Sequence, residues 1–362
     1  MSPADAAPSP VPMVTVDAMG VDVHLRATST LSGTLLSRVR DAWSDCHVPR
    51  GDAGRQHRTL DLSPDAFVDI ERGLSDLSTR VTLEALDALR GTRLLLHAAG
   101  AATDDGRTIA LVGPSGRGKT TASRHVGTHF AYVSDETVAV ADDLTVEPYR
   151  KPLSVITPGR AHKEQIAPSI FGLKDLPDAR LRLTAITLID RQPDAAAIGP
   201  YAIDTIDAIC EMTPQISYLP ELPTPLQYLA RLFDAIGAPT RLIYRDAVEL
   251  PALVRTMLDE PGHPAAAWTV PLRADDPGPW RVAPYDDAII VAGRACVMRN
   301  GMVTALDQRG CLVWTQCLAG ASTEAIVATA VAEFGEPEQG EATALIAATI
   351  EELRVLGFIE AA

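Results

Sequence analysis

Cysteine, aromatic side chains, basic charge and long apolar runs are all scarce in this chain, and each shortage removes a class of protein. Five cysteines (Cys46, Cys210, Cys296, Cys311 and Cys317) are scattered through 362 residues with no C-x-x-C pair. Odd in number and loosely spaced, they fit reduced thiols in the cytoplasm better than a disulfide framework or a zinc site. Aromatics make up only 5% of the chain, so Ala and Leu carry most of the 46% apolar content. Lys and Arg number 32 against 47 Asp and Glu, a formal net charge of −15. That balance argues against general nucleic-acid binding and against adhesion to an anionic membrane. A nucleotide remains admissible, because local geometry and Mg²⁺ handle its charge. No apolar run approaches transmembrane length. Met1 to Pro12 is rich in Ala, Pro and Ser and lacks a basic region followed by an apolar one. It reads as a disordered tail, not a signal peptide.

What is present centres on one stretch. Gly113-Pro114-Ser115-Gly116-Arg117-Gly118-Lys119-Thr120 has the G-x-x-x-x-G-K-[ST] spacing of a phosphate-binding loop. An apolar run, Thr108 to Val112, leads into it as a buried strand, and 119–128 has helix-compatible composition. The glycines let backbone N–H groups close around phosphate oxygens at a helix N-terminus. Lys119 is placed to reach the β- and γ-phosphates, Thr120 to set its hydroxyl on Mg²⁺, and Thr121 follows them in the cofactor-binding set. Thr103-Asp104-Asp105-Gly106 is a hairpin turn into the loop strand. It puts Leu94-Leu95-Leu96-His97, and so His97, on the neighbouring strand. A lone histidine is as often a packed residue as a functional one.

After the loop helix, Ala131 to Val140 reads as strand, acidic break, strand, with Ser134-Asp135-Glu136-Thr137 as the break. One carboxylate there can accept a proton from an attacking hydroxyl and the other can bind a metal; the bland reading is a polar hairpin turn. Asp190, closing the apolar run 185–189, is the rival metal acid. Residues 149–163 are the densest basic patch, read equally as a phosphate clamp or a solvated loop. Residues 13–26 alternate as half-buried strands, a helix covers 32–44, 46–58 is a loop, and a helical pattern starts at Ser78 and stops at Gly91. Proline-interrupted helices at 225–236 and 246–258 are expected to cover the sheet.

His97-Ala98-Ala99, the loop 113–120 and Val133-Ser134-Asp135-Glu136 occur in this order at close spacing. Together they resemble the HPr kinase/phosphorylase family, and more closely its shorter relatives in peptide-tailoring gene clusters, including kinases of lasso peptides. The resemblance covers roughly residues 80–260. It implies ATP and Mg²⁺ as cofactors and a phosphotransferase activity. Asp135 takes the role of general base on the acceptor hydroxyl, and His97 matches the family histidine. The family carries a second aspartate where this chain has Glu136, the expected metal carboxylate beside Thr120 and Asp135. Arg150-Lys151-Pro152-Leu153-Ser154 looks like the basic, proline-containing strand of the shorter relatives. The stretch by which true HPr kinases hold their protein substrate is not recognisable, so HPr is not the expected acceptor.

Beyond a linker-like Pro271 to Pro279, strands at 287–292, 294–299 and 302–305 and helices near 307–318, 322–334 and 340–356 follow, with a hairpin turn at Arg299-Asn300-Gly301-Met302. Val303-Thr304-Ala305-Leu306-Asp307, Gly310-Cys311-Leu312-Val313-Trp314, Phe334-Gly335 and Glu352 to Ile359 resemble the PqqD-like peptide-binding domain of ribosomal-peptide pathways. The resemblance implies a leader peptide added as a strand near Val303, Thr304 and Ala305, beside helix 342–354. Eleven acids against five arginines in 279–362 make nucleic acid a poor partner for this winged-helix-like fold.

The expected architecture is an α/β phosphate-loop nucleotide domain of HPr kinase type with a small N-terminal α/β layer, plus a C-terminal winged-helix-like α+β domain. Its divisions are a 1–12 tail, a 13–77 subdomain, a 78–265 phosphate-loop domain, a 266–278 linker and a 279–362 recognition domain. The expected function is ATP-dependent phosphorylation of a Ser- or Thr-type hydroxyl on a precursor peptide, in the cytoplasm, with no nucleic acid and no membrane, and with a homo-oligomer compatible. The alternatives are a non-catalytic nucleotide-gated peptide binder and a kinase acting on a small molecule.

Overall fold

The computed structural model describes residues 13–46, 48, 54–114, 118–157, 159, 162–260, 262–275, 278–337 and 341–362. The expected tail at 1–12, three loop residues (Ser115, Gly116 and Arg117) and part of the expected linker lie outside the described residues. The chain is mixed α/β with several sheets. No helix among the described residues is long and apolar enough to cross a membrane.

Strands β1 (Val14–Ala18) and β2 (Val21–Ala27) form a hairpin whose tip, Met19 and Gly20, has positive φ at both residues, as a two-residue turn requires. Helix α1 (Gly33–Ala42) is capped by Ser32, and β3 (His57–Leu62) joins β2 in parallel. Helix α2 (Ile70–Leu89) starts well before Ser78, because the Asp69 carboxylate accepts from the Arg72 N–H and caps it there. Leu74, Leu77, Val81 and Ala85 lie on one helical stripe and pack with Val16, Val23 and Leu25 in a single core. The expected division at 78 therefore falls inside a helix that belongs to the N-terminal layer.

Two sheets meet behind α2. Strands β4 (Leu94–Leu96), β5 (Ala98–Ala102) and β6 (Arg107–Val112) follow in turn, then α3 (Lys119–Gly127), β7 (Ala131–Ser134), β8 (Val138–Val140) and β9 (Val146–Glu147). The hairpin β10 (Leu153–Val155) and β11 (Glu164–Ile166) precedes the long β12 (Arg182–Arg191) and β13 (Gly199–Ala202). Helix α4 (Thr205–Met212), β14 (Ile216–Ser217), α5 (Pro225–Ile236), β15 (Thr240–Tyr244) and α6 (Leu250–Asp259) complete this stretch. A six-stranded sheet has the order β13-β15-β12-β6-β5-β7, and a four-stranded one β14-β4-β8-β9.

The chain crosses between these sheets twice, side by side. At His97 it passes from β4 in one sheet to β5 in the other, and at Asp135-Glu136-Thr137 it passes back from β7 to β8. The registers Gly100↔Ser134 and Leu96↔Val138 set the two crossings against each other. Strand β6 runs antiparallel to β5 and parallel to β12, with Val112 beside Leu188. Ala122 and Val126 of α3 pack on Ala99, Ala101, Ile109 and Leu111.

The chain divides into two units. One runs to Pro200 and includes Gln215–Tyr218 and Arg241–Pro261; the other comprises Tyr201–Pro214, Leu219–Thr240 and Gly262–Ala362. The second unit holds a sheet of order β16-β18-β19-β20, formed by β16 (Trp268–Thr269), β18 (Asp287–Val291), β19 (Arg294–Arg299) and β20 (Met302–Leu306). A smaller pair joins β17 (Trp280–Val282) to β21 (Ile359–Ala361). Asn300 and Gly301, both at positive φ, turn β19 into β20. Ala288, Ala295, Val297 and Leu306 face α7 (Gln308–Leu318), α8 (Thr323–Phe334) and α9 (Ala342–Val355) in one core around Trp314.

Strand alternation turns Ile289, Val291, Cys296 and Met298 to the other face, also fully buried. Helices α4 and α5 cover it. Two interactions hold them: Arg294 pairs with Asp204 and Asp207 at 2.8 Å each, and the buried Asp287 carboxylate accepts from the Leu226 and Gln227 N–H groups at 2.8 and 3.0 Å. Thr224, at the helix start, makes no side-chain cap of its own, so Asp287 does that work from another strand. Helix α5 was expected to cover the nucleotide-domain sheet; it covers this one. Asp287→Ala is expected to lower the stability of the second unit by about 2 kcal/mol, the cost of losing charge-assisted hydrogen bonds. Urea unfolding measures it, and an unchanged midpoint would refute the capping role.

Candidate active site

The site forms where the two crossings face the N-terminus of α3. Gly118, at φ +88, adopts the left-handed conformation that turns the loop into the helix. Gly113 leaves β6 where a Cβ would meet Ile189 Cγ1 at 2.8 Å, so only glycine lets the loop pass β12 that closely. Lys119 is the first residue of α3 and is buried, with Nζ donating to the Gly113 carbonyl at 2.6 Å. Burial pushes its pKa down, against the pull of the Glu136 and Asp135 charges. The Thr120 hydroxyl donates to Asp135 Oδ2 at 3.3 Å.

Ser134 shapes the acidic crossing. Its hydroxyl accepts from the N–H groups of Glu136 and Thr137, each at 3.1 Å, a local turn at the start of the crossing. Strands β7 and β8 do not pair with each other, so the segment is a passage between sheets and not a hairpin turn. The Glu136 carbonyl accepts from His97 Nδ1 at 2.9 Å, which places the imidazole proton on Nδ1. Glu136 Oε1 lies 3.6 Å from the same nitrogen. Glu136 Oε2 pairs with Lys151 Nζ at 3.1 Å.

Asp135 is 7% exposed, and its Oδ1 is buried with no hydrogen-bond partner. Burial pushes its pKa up; the Lys151 charge pulls it down and the Glu136 charge pushes it further up. Lys151 is also nearly inaccessible. Burial works to lower its pKa, but the Asp135 and Glu136 charges outweigh that and hold it above the ordinary lysine value. Two ammonium groups and two carboxylates thus share one corner, in which Lys119, Lys151 and Asp135 are buried and Glu136 is half-buried.

An unpartnered carboxylate oxygen, a hydroxyl and a second carboxylate are hard oxygen donors, the set that suits Mg²⁺. Among the described residues no group of three or more His, Cys, Asp or Glu gathers into a metal cage. That is consistent with Mg²⁺ held by one or two carboxylates and completed by phosphate oxygens. Thr120, Asp135 and Glu136 are the residues that would hold it.

Neither a protein-family model nor a curated protein matches the chain. Among solved structures it is similar to the Hpr(Ser) kinase/phosphatase from Coxiella burnetii, at 12% identity over 46% of this chain and 93% of that one, with a TM-score of 0.25. At that score the likeness carries no weight; the side-chain geometry does.

The structure brings His97, Lys119, Thr120, Asp135 and Glu136 together and sets Gly113, Pro114, Gly118 and Thr121 at the loop. Asp190 ends β12 with its own partners, Gln192 at 2.7 Å and Arg241 at 4.0 Å. The basic patch divides in two. Arg150 is a buried brace, donating to the Tyr132 and Lys174 carbonyls and pairing with Asp175 and Asp45. Lys151, one residue on, faces the acids. Sequence reasoning marked the patch but not this division, because the crossing that meets Lys151 is tertiary.

A carboxyl whose folded pKa is raised destabilises the fold once ionised. Its favourable contribution is complete below the ordinary carboxylate pKa and is lost as pH rises through the folded value. Asp135→Asn is therefore expected to be more stable than the natural chain at neutral pH and no more stable at about pH 4 and below. Urea midpoints across pH test this; a pH-independent difference would contradict the raised pKa.

Proposed function

We propose that the chain is a kinase that transfers the γ-phosphoryl group of ATP to a serine- or threonine-type hydroxyl of a precursor peptide. One observation carries the reading: the loop hydroxyl of Thr120 meets the buried, partly orphaned Asp135 carboxylate at 3.3 Å, with Lys119 beside it. Asp135 accepts the acceptor's proton as its oxygen attacks the γ-phosphorus, and the bond to the bridging oxygen of ADP breaks. The raised Asp135 pKa suits this role, since a base nearer neutrality takes the proton more readily. Lys119 swings from the Gly113 carbonyl to the phosphates. Mg²⁺, when bound, would neutralise phosphate charge. Lys151 pairs with Glu136, and His97 fixes the crossing backbone.

The second unit supplies a winged-helix-like recognition element. Strand β20 is the outer strand of its sheet. The Met298 carbonyl accepts from the Asp286 N–H on the β18 side, so Val297 and its partner Thr304 bond to each other across β19 and β20. Alternation then points the N–H groups of Val303 and Ala305 to the open edge, where an extended leader can add as a strand. The reaction belongs in the cytoplasm, where ATP is abundant.

Asp135→Asn is expected to retain ATP binding and lose at least about a hundredfold in single-turnover transfer. Lys119→Ala is expected to lose both. The wild-type rate should rise with pH along an acid limb set by Asp135, shifted to higher pH in Lys151→Met and to lower pH in Glu136→Gln. Mass spectrometry of a candidate precursor peptide reads the transfer; an Asp135→Asn enzyme at the wild-type rate would remove Asp135 from the mechanism. Val303→Pro is expected to weaken leader binding in fluorescence anisotropy without unfolding the sheet, whereas Thr304→Pro breaks the β19–β20 ladder itself. Equal binding by Val303→Pro and the natural chain would refute the edge-strand reading.

A further inference from the structure

Next to the loop, on the outward face of α3, lies a cavity of about 240 Å³ lined by Thr121, Arg124, His125, Thr128, Phe171 and Leu173. Four of these residues recur at i, i+3, i+4 and i+7 along α3, so they form one stripe. The stripe begins at Thr121, the residue directly after the loop motif, and rises about 10 Å along the helix. The opposite wall is fixed. The Lys174 N–H donates to the Gly127 carbonyl at 2.8 Å, Lys174 bridges Ala131 of β7, and Leu173 is buried against Gly127, where a Cβ would already be in tight contact. Gly172, at φ +67, turns the chain between Phe171 and Leu173. The Arg124 guanidinium covers the Phe171 ring at 4.6 Å from its centroid.

We propose that this cavity is the nucleoside site of the enzyme, holding the base and ribose of the nucleotide whose phosphates occupy the loop. The inference rests on the nucleotide reading above and adds to it a place for the base. A phosphate chain held at the N-terminus of α3 would leave its nucleoside end at Thr121, from which the stripe leads on to Arg124, His125 and Thr128. The wall it meets is an aromatic ring faced by a planar cation, a surface on which bases stack without regard to sequence. Arg124 and His125 lie between the loop and the far end at Thr128, within the span a ribose would occupy. None of these six side chains belongs to the proton-transfer or metal-binding set, so the cavity binds and the acidic corner reacts.

The test is calorimetric titration of the full chain with ATP·Mg²⁺ and, separately, with tripolyphosphate·Mg²⁺, which fills the loop but has no base. The natural chain should bind ATP more tightly than tripolyphosphate. Phe171→Ala should weaken ATP about ten- to a hundredfold, the range for losing a stacking platform, and leave tripolyphosphate within about twofold of its natural affinity. Thr128→Trp, an exposed position that puts an indole into the cavity, should do the same with no loss of core packing. Unchanged ATP affinity in both variants would overturn the nucleoside site and leave the loop reading intact. Loss of ATP and tripolyphosphate together in both variants would also overturn it, because the defect would then lie in the phosphates. A natural chain that binds neither ligand would overturn the nucleotide reading, and this inference with it.

Discussion

Charge balance in a largely buried corner is the constraint on which the first unit turns. Lys119, Lys151, Asp135 and Glu136 are drawn from three segments: the helix after the loop, the β7–β8 crossing and the chain before β10. Asp135 or Lys151 alone at that depth would cost several kcal/mol in desolvation, whereas Glu136 keeps part of its water. Together they satisfy one another, but incompletely: burial still raises the Asp135 pKa against the pull of Lys151, and Asp135 Oδ1 has no partner. The fold thus tolerates an electrostatic imbalance at the carboxylate to which the proposed function gives the role of base. The neighbours make that arrangement rigid. Arg150 ties the β7 strand, the 174–175 segment and Asp45 together, and Tyr149 bonds to Thr82 of α2 at 3.0 Å, so the N-terminal layer supports the strand that carries Lys151.

What could be read directly from sequence was whatever is local. The strand 107–112 and the helix 119–127 on either side of the glycine-rich motif, the Thr103–Gly106 turn, the Asn300-Gly301 turn and the helices at 308–318, 323–334 and 342–355 each carry their signal within a few residues. The acidic break between two apolar strands was visible too. That β7 and β8 belong to different sheets was not, because an apolar strand looks the same whichever neighbour it pairs with. The start of α2 was missed although Asp69 stood there as a cap, since the polar residues just after it masked the apolar stripe. Arg150 and Lys151 are both basic and both buried; only the tertiary position of Asp45, Asp175 and Glu136 separates a brace from a site residue. The placement of α4 and α5 depended on Asp287 and Arg294, both more than sixty residues downstream of the helix ends they hold. No pattern in the helices themselves announces such a partner.

The crossings explain why the small residues of β5 matter. At Gly100 a Cβ would lie 2.9 Å from Val138 Cγ2, so the strand next to the loop strand must thin where β8 departs. His97 is the only residue between β4 and β5, and its ring, fixed on the Glu136 carbonyl, joins the two crossings by a side-chain bond as well as by the sheets. A one-residue insertion there would reverse the faces of every side chain in β5.

The division of the chain into interleaved units has a consequence for how the protein is made and how it can be recombined. The polypeptide passes from one unit to the other after Pro200, Pro214, Tyr218, Thr240 and Pro261. During synthesis the first unit cannot close until α6 has emerged, and α4 and α5 must wait, apolar faces bare, until the sheet that buries them is translated. A genetic exchange at the proline-rich stretch 271–279 looks like a clean module boundary, yet it would leave those two helices attached to the wrong partner. Inheritance of the second unit therefore requires the whole span from residue 201 onward, with part of its neighbour carried inside it.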